Sequence, residues 1–247
     1  RSGVIDIAIM QSLTDGDSVK KWVRDYGMVI VDECHHLSAF SFERIMRFAN
    51  ARYVYGLTAT PIRKDGHQPI IFMQCGAIRH SIVANNTSSY ERCLVPRFIT
   101  SKGKTEDNEP YTSTIRRLAE DRTRNELIVR DVVDSVKSGR TPIILTALTS
   151  HTECLCEMLK PYCKNVVKLV GTDSAKQKRL AMEQMRAIEA DEDMIIVATG
   201  RYVGEGFDLP RLDTLLLALP VSWKGIVAQY AGRLHREYDG KTTCQIY

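Results

Sequence analysis

No apolar run in this 247-residue chain reaches the roughly 18 residues that a membrane-crossing helix needs, so none is expected. No two of its seven cysteines are spaced as Cys-x-x-Cys, and their number is odd. That argues against a disulfide framework and against a zinc ribbon, and for a reducing, intracellular setting, cytoplasmic or, in a nucleated cell, nuclear. No secretory leader is visible, although the chain opens on Arg1 rather than methionine, which makes that absence uninformative. Neither sign of charge dominates: a net charge of +4 tolerates a polyanionic partner without demanding one. A Gly-x-x-x-x-Gly-Lys-Thr/Ser loop, whose backbone amides would cradle phosphates, is also missing. Gly103-Lys-Thr105 and Gly240-Lys-Thr242 fail as substitutes because the earlier glycine would fall on Phe98 and His235.

The most informative stretch that is present is Met28-Val-Ile-Val-Asp-Glu-Cys-His-His36. Its apolar run reads as a buried parallel strand. Carboxylates at the carboxyl end of such a strand emerge where open α/β sheets bind ligands. Asp32 suits a magnesium ion held partly through water, with Glu33 beside it able to share the ion or to polarise an attacking water. An acidic turn that merely caps the next helix is the plain alternative. Zinc binding by Cys34, His35 and His36 is not expected, because consecutive residues rarely converge on one tetrahedral ion.

Three further segments follow in order: Tyr53-Val-Tyr-Gly-Leu-Thr-Ala-Thr-Pro61, Val197-Ala-Thr-Gly-Arg-Tyr-Val-Gly-Glu-Gly-Phe-Asp-Leu-Pro210 and Gln229-Tyr-Ala-Gly-Arg-Leu-His-Arg236. With the acidic box, they resemble the second, third, fifth and sixth motifs of superfamily 2 helicases. The Asp-Glu-Cys-His box and the run from Thr58 to Gly66 look most like the branch that holds XPB-type repair helicases and restriction-enzyme translocases. The resemblance spans residues 4 to 247, and four ordered motifs are far more specific than one. It implies an α/β fold of two RecA-like parallel-sheet domains, the first incomplete, with ATP and Mg²⁺ as cofactors. The absent phosphate loop marks the chain as an interior fragment of such a protein.

Residue patterns agree with that division. Ile5 to Met10 reads as a strand, and Ser12 and Thr14 as caps for a helix from 18 to 26. A helix is expected from Ser38 or Ser41 to about Asn50, between strands at 28–32 and 53–57. Residues 1–95 then form the back half of the first domain, and 96–112, centred on the wholly non-apolar run 101–110, form a linker. Residues 113–247 form the second domain: a helix ending at Gly139, then strand-like runs at 142–148, 165–170, 193–198 and 212–218 separated by helix-length segments. Stretch 68–89 carries no clear pattern, and the chain stops inside a strand begun at Thr242.

Roles follow from the resemblance, residue by residue. Arg233 and Arg236 match arginine fingers, and guanidinium suits phosphate because it stays charged and donates in parallel pairs. Gln229 is placed to orient water or the terminal phosphate, and i, i+4, i+7 spacing predicts that a helix projects all three from one face. Asp208, with the flexible Gly204 and Gly206, is the candidate for nucleotide contact. His35 is expected to couple the carboxylates to the hydroxyls of Thr58 and Thr60. Gln11, Ser12, Arg63, Lys64, Gly171, Thr172, Thr199 and Gly200 are the candidates for nucleic-acid contact. Helix capping explains the 171–174 segment nearly as well, and a glycine turn is the plain alternative for 199–208.

The expected function is ATP-driven movement of a helicase or translocase on nucleic acid, DNA before RNA, with these 247 residues inactive alone. Self-association through exposed sheet edge is expected of them. A restriction or mobile-element translocase that does not separate strands, and a non-catalytic nucleic-acid-binding scaffold, are the competing readings.

Overall fold

The computed structural model describes residues 2–34, 39–58, 68–82, 90–99, 110–204, 207–221 and 224–247. Its packing divides the chain into two units, residues 1–85 and 86–247.

The first unit opens with a 3₁₀ turn at Met10–Leu13 and a minimal antiparallel ribbon of β1 (Thr14–Asp15) and β2 (Ser18–Val19). A second 3₁₀ turn spans Lys21–Asp25. Then come β3 (Met28–Val31), α1 (Ala39–Phe48), β4 (Tyr53–Gly56) and α2 (Gln68–Cys75). Strands β3 and β4 are parallel and pair Met28 with Tyr53 through Val31 with Gly56. A small core of Val19, Val23 and Ile45, flanked by Trp22 and Phe48, seats α1 on the ribbon and the second turn.

Three expectations for this unit are corrected. Residues 5 to 10 form no strand, and Ile5, Ile7 and Ile9 are exposed. A strand exists only through its ladder, and among the described residues none pairs with this one. The segment expected as a helix over 18–26 is instead ribbon plus 3₁₀ turn. Strand β3 has the expected position but not the expected burial, for Met28 is 50% and Ile30 59% exposed.

The second unit is a six-stranded, wholly parallel sheet in the order β5-β10-β9-β6-β8-β7. Its elements run β5 (Glu91–Leu94), α3 (Tyr111–Glu120), α4 (Arg122–Lys137), β6 (Pro142–Thr146), α5 (Thr149–Leu159), β7 (Val166–Leu169), α6 (Ala175–Arg186), β8 (Ile195–Thr199), α7 (Gly200–Gly204), β9 (Thr214–Leu217), α8 (Lys224–Leu234) and β10 (Thr243–Ile246). The near-continuous Ile/Val/Leu runs of β6 and β8 are what a sheet covered on both faces demands. Side chains alternate between those faces: Ile143 and Leu145 join Ile196, Val203 and Phe207 in one core, while Ile144 joins Ile195, Val132, Leu155 and Leu159 in the other.

Helix α4 starts on Asp121, whose carboxylate accepts the Arg124 N–H at 3.1 Å, and stops at Gly139 in the left-handed region at φ 72°. A buried polar chain ties it to the sheet. Asn125 donates to the Ala119 carbonyl at 2.8 Å, its side-chain oxygen lies 2.9 Å from His151 Nε2, and His151 Nδ1 lies 2.7 Å from Thr146 Oγ1. Since the amide oxygen only accepts, Nε2 carries the proton and the threonine hydroxyl donates to Nδ1. Desolvation, aided by the Arg124 charge, pushes the His151 pKa down to about 4.

Strand β5 was absent from the sequence reading. It pairs with β10, and Arg97 just beyond it grips the buried Asp131 of α4 at 2.8 and 3.0 Å. The compact units therefore divide between 85 and 86 rather than at 95, because the edge strand belongs with the sheet that follows it. Tyr111 and Thr112, read as linker, open α3. Residues 100–109 lie outside the described residues.

Candidate functional site

In the first unit the candidate chemistry sits at the carboxyl ends of β3 and β4. The Leu57 N–H donates to the Val31 carbonyl at 2.8 Å and the Cys34 N–H to the Leu57 carbonyl at 3.0 Å. These bonds stitch the acidic turn to the segment that carries Thr58. Within the turn, Asp32 Oδ1 accepts the Glu33 N–H at 2.9 Å. Glu33 is at φ 47°, the one positive φ on a non-glycine side chain among the described residues. That conformation costs about 1–2 kcal/mol, which a plain cap for the following helix would not require. Both carboxylates are exposed, so they are accessible to solvent and ligand.

Close packing under the turn explains Gly56. A Cβ there would stand 3.0 Å from the sulfurs of both Cys34 and Cys75. Burial raises both thiols, Cys75 to about 11, so they act as packing groups and not as nucleophiles. Thr58 is half-buried. His35, Thr60, Arg63 and Lys64 lie outside the described residues. Gln11 is exposed on a 3₁₀ turn, where the Ser12 hydroxyl donates to the Ile9 carbonyl at 2.6 Å.

In the second unit the candidates fall into two groups. Gly171, Thr172, Thr199 and Gly200 lie at the carboxyl ends of β7 and β8. The Thr199 hydroxyl accepts the Gly171 N–H at 2.9 Å, and Lys178 Nζ donates to the Gly171 carbonyl at 2.8 Å. Thr172 is exposed. Ser174 closes a capping box with Gln177, which accounts for that serine without a ligand. A Cβ on Gly200 would collide with the Tyr230 hydroxyl of α8. The missing side chain therefore lets the third and fourth conspicuous segments pack together.

The second group gathers where α8 returns to the start of β10. Gln229 and Arg233 are half-buried on α8, while Arg236 lies two residues past its end, so one helix does not project all three. At the end of α8 the Leu234 carbonyl, which has no helical N–H to bond, accepts from Lys241 Nζ at 3.0 Å and Cys244 Sγ at 3.3 Å. Arg236 Nε pairs with Asp208 Oδ1 at 3.2 Å, so the candidate finger and the candidate nucleotide-contacting carboxylate hold each other. Phe207, next to Asp208, is buried in the core. Gly204 ends α7, and Gly206 lies outside the described residues. Sequence reasoning missed Lys241, which it met only as a failed phosphate loop, and the fit of Tyr230 to Gly200, for which the pattern carries no signal.

Asp32 and Glu33 are hard oxygen donors, and two carboxylates fit an ion that keeps most of its water, as Mg²⁺ does. Among the described residues no group of three or more His, Cys, Asp or Glu side chains is placed to enclose a metal.

Known proteins resemble this chain in sequence and in fold. The profile of the type III restriction enzyme res subunit matches residues 3–63. Transcript termination protein A18 of fowlpox virus is 26% identical over 234 residues, which cover 90% of this chain and 49% of that protein. "Probable helicase D10" of Escherichia phage T5 is 25% identical over 218 residues, covering 87% and 47%. The chain thus spans about half the length of these relatives. In fold it is similar to the fragment of an HsdR subunit of a type I restriction enzyme from Vibrio vulnificus, with a TM-score of 0.66 at 17% identity over 91% of this chain and 43% of that one. It is also similar to a leucine-to-valine variant of Saccharomyces cerevisiae Dbp5 bound to RNA and ADP BeF3, with a TM-score of 0.55 at 14% identity over 89% and 52%. The ordered motifs and these relatives support the resemblance to superfamily 2 helicases, and the two solved structures share the fold.

Proposed function

We propose that this chain forms part of an ATP-dependent motor that moves on nucleic acid. In this reading Asp32 holds Mg²⁺ partly through water and Glu33 draws a proton from the attacking water. Arg233 and Arg236 neutralise charge that develops on the transferred phosphoryl group, with Gln229 orienting the water or that phosphate. Asp208 takes the nucleotide ribose once Arg236 turns from it to phosphate. The observation that carries the reading is the strained Glu33 turn at the carboxyl end of a parallel strand, stitched by backbone bonds to the Thr58 segment. His35, Thr58 and Thr60 couple that turn to bound nucleic acid, which Gln11, Ser12, Arg63, Lys64, Gly171, Thr172, Thr199 and Gly200 contact.

In the natural protein, Glu33→Gln should lower nucleic-acid-stimulated hydrolysis by about 10²- to 10⁴-fold while ATP binding persists. Hydrolysis at the wild-type rate would remove the base assignment. The 247 residues alone, without a phosphate loop, should give no tight ATP complex in calorimetric titration. DNA is the proposed track. A translocase that leaves strands paired is the second version of this reading. Displacement of a triplex-forming strand without separation of a duplex would support that version, and duplex separation would support a helicase.

A further inference from the structure

Lys241 is half-buried and turns its charge inward. Its ammonium group donates to the carbonyls of Pro210 at 2.6 Å, Leu234 at 3.0 Å and Arg236 at 2.8 Å. An ammonium has as many protons as there are carbonyls here, so its donor capacity is used up inside the protein. The Tyr90 ring lies 6.0 Å away, and desolvation lowers the lysine's pKa. The turn that delivers it uses Gly240 at φ 80°.

Those carbonyls are not a random set. Leu234 is the last residue of α8 and follows Arg233 directly. Arg236 is the second candidate finger, and Pro210 follows Asp208 by two residues, the partner of Arg236 at 3.2 Å. One nitrogen therefore fixes, from behind, the backbone on both sides of the Asp208–Arg236 ion pair and the helix end that bears Arg233. A cation at a helix carboxyl end is also favoured by the helix dipole.

We propose that Lys241 is the positioning residue of the arginine pair: it sets the spacing of Arg233, Arg236 and Asp208 without touching nucleotide. The inference rests on the hydrolytic role proposed above for those arginines. A phosphate reached by two guanidinium groups demands both at once, and a shift of about 1 Å in such a group costs on the order of 10²-fold in rate.

The test compares Lys241→Met with Arg211→Met in the natural protein. Arg211 follows Pro210 in the chain and is a clamp that makes no bond to the α8 end, donating instead to the carbonyls of Glu189 at 3.1 Å and Glu192 at 2.8 Å and to Thr141 at 3.2 Å. Both variants should melt earlier. Only Lys241→Met should lower kcat for nucleic-acid-stimulated ATP hydrolysis, by about 10- to 100-fold, with KM for ATP changed by less than about threefold. Should Lys241→Met fail to fold, Lys241→Gln, which keeps two donors, is read in the same way. Arg233→Ala and Arg236→Ala are measured alongside. If those two lose hydrolysis while the Lys241 variant behaves like Arg211→Met, the positioning role is overturned and the arginine role stands. If both arginine variants hydrolyse normally, the arginine role itself fails, and the positioning role with it.

Discussion

His151 allows a stability prediction with a worked magnitude. The ring is 1% exposed, and burial holds it neutral with a pKa of about 4. In the unfolded chain a histidine titrates near its ordinary 6.5, so between these values the unfolded state binds a proton that the folded state refuses. Stability from this group is complete above pH 6.5 and is lost as pH falls towards 4, at about 1.4 kcal/mol per pH unit and about 3 kcal/mol in all. The perturbation is His151→Leu, of similar bulk but unable to titrate. At pH 7.5 it should cost about 2–4 kcal/mol, because Asn125 Oδ1 and Thr146 Oγ1 lose their partner in a buried site. That deficit should shrink by about 2 kcal/mol at pH 5, where the wild type has lost most of the histidine contribution. Urea unfolding followed by far-ultraviolet circular dichroism at pH 7.5, 6.5 and 5 reads the difference, and other titrating groups cancel between the two proteins. An equal deficit at every pH would refute the reasoning.

Two more predictions concern packing. Gly200→Ala should destabilise the second unit by about 1–3 kcal/mol through the Tyr230 hydroxyl, and adding Tyr230→Phe should recover part of that loss; additive losses in thermal melts would show that the two residues do not share the space. In the first unit Met28, Ile30, Tyr53, Tyr55 and Leu57 expose apolar surface on and beside a two-stranded sheet. The 247-residue chain should therefore self-associate with rising concentration in light scattering, and a strict monomer would contradict this.

What the sequence made legible follows from how local its signals are. Strands β6, β7, β8 and β9 were expected within two or three residues of their observed limits, because buried parallel strands are short apolar runs bounded by polar helices. Gly139 and the end of α4 were legible for the same local reason. Strand β5 was not, since Glu91-Arg-Cys-Leu94 lacks an apolar run and owes its ladder to β10, some 150 residues away. Ile5 to Met10 erred in the other direction: it has the composition of a strand and no described partner. In the candidate site, residue types at fixed spacing marked Asp32, Glu33 and Arg233. The strain at Glu33, the Asp208–Arg236 pair and the anchoring of α8 by Lys241 are tertiary facts with no sequence period to announce them.

The proposal that the acidic turn and the arginines serve one triphosphate is tested most directly by the nucleic-acid-stimulated ATP hydrolysis rates of Glu33→Gln, Arg233→Ala and the double variant of the natural protein. Residues that act as a unit are strongly non-additive, so the double variant should be no more than a few-fold slower than the slower single variant. Losses that multiply in full would place the two groups in independent steps and contradict the account.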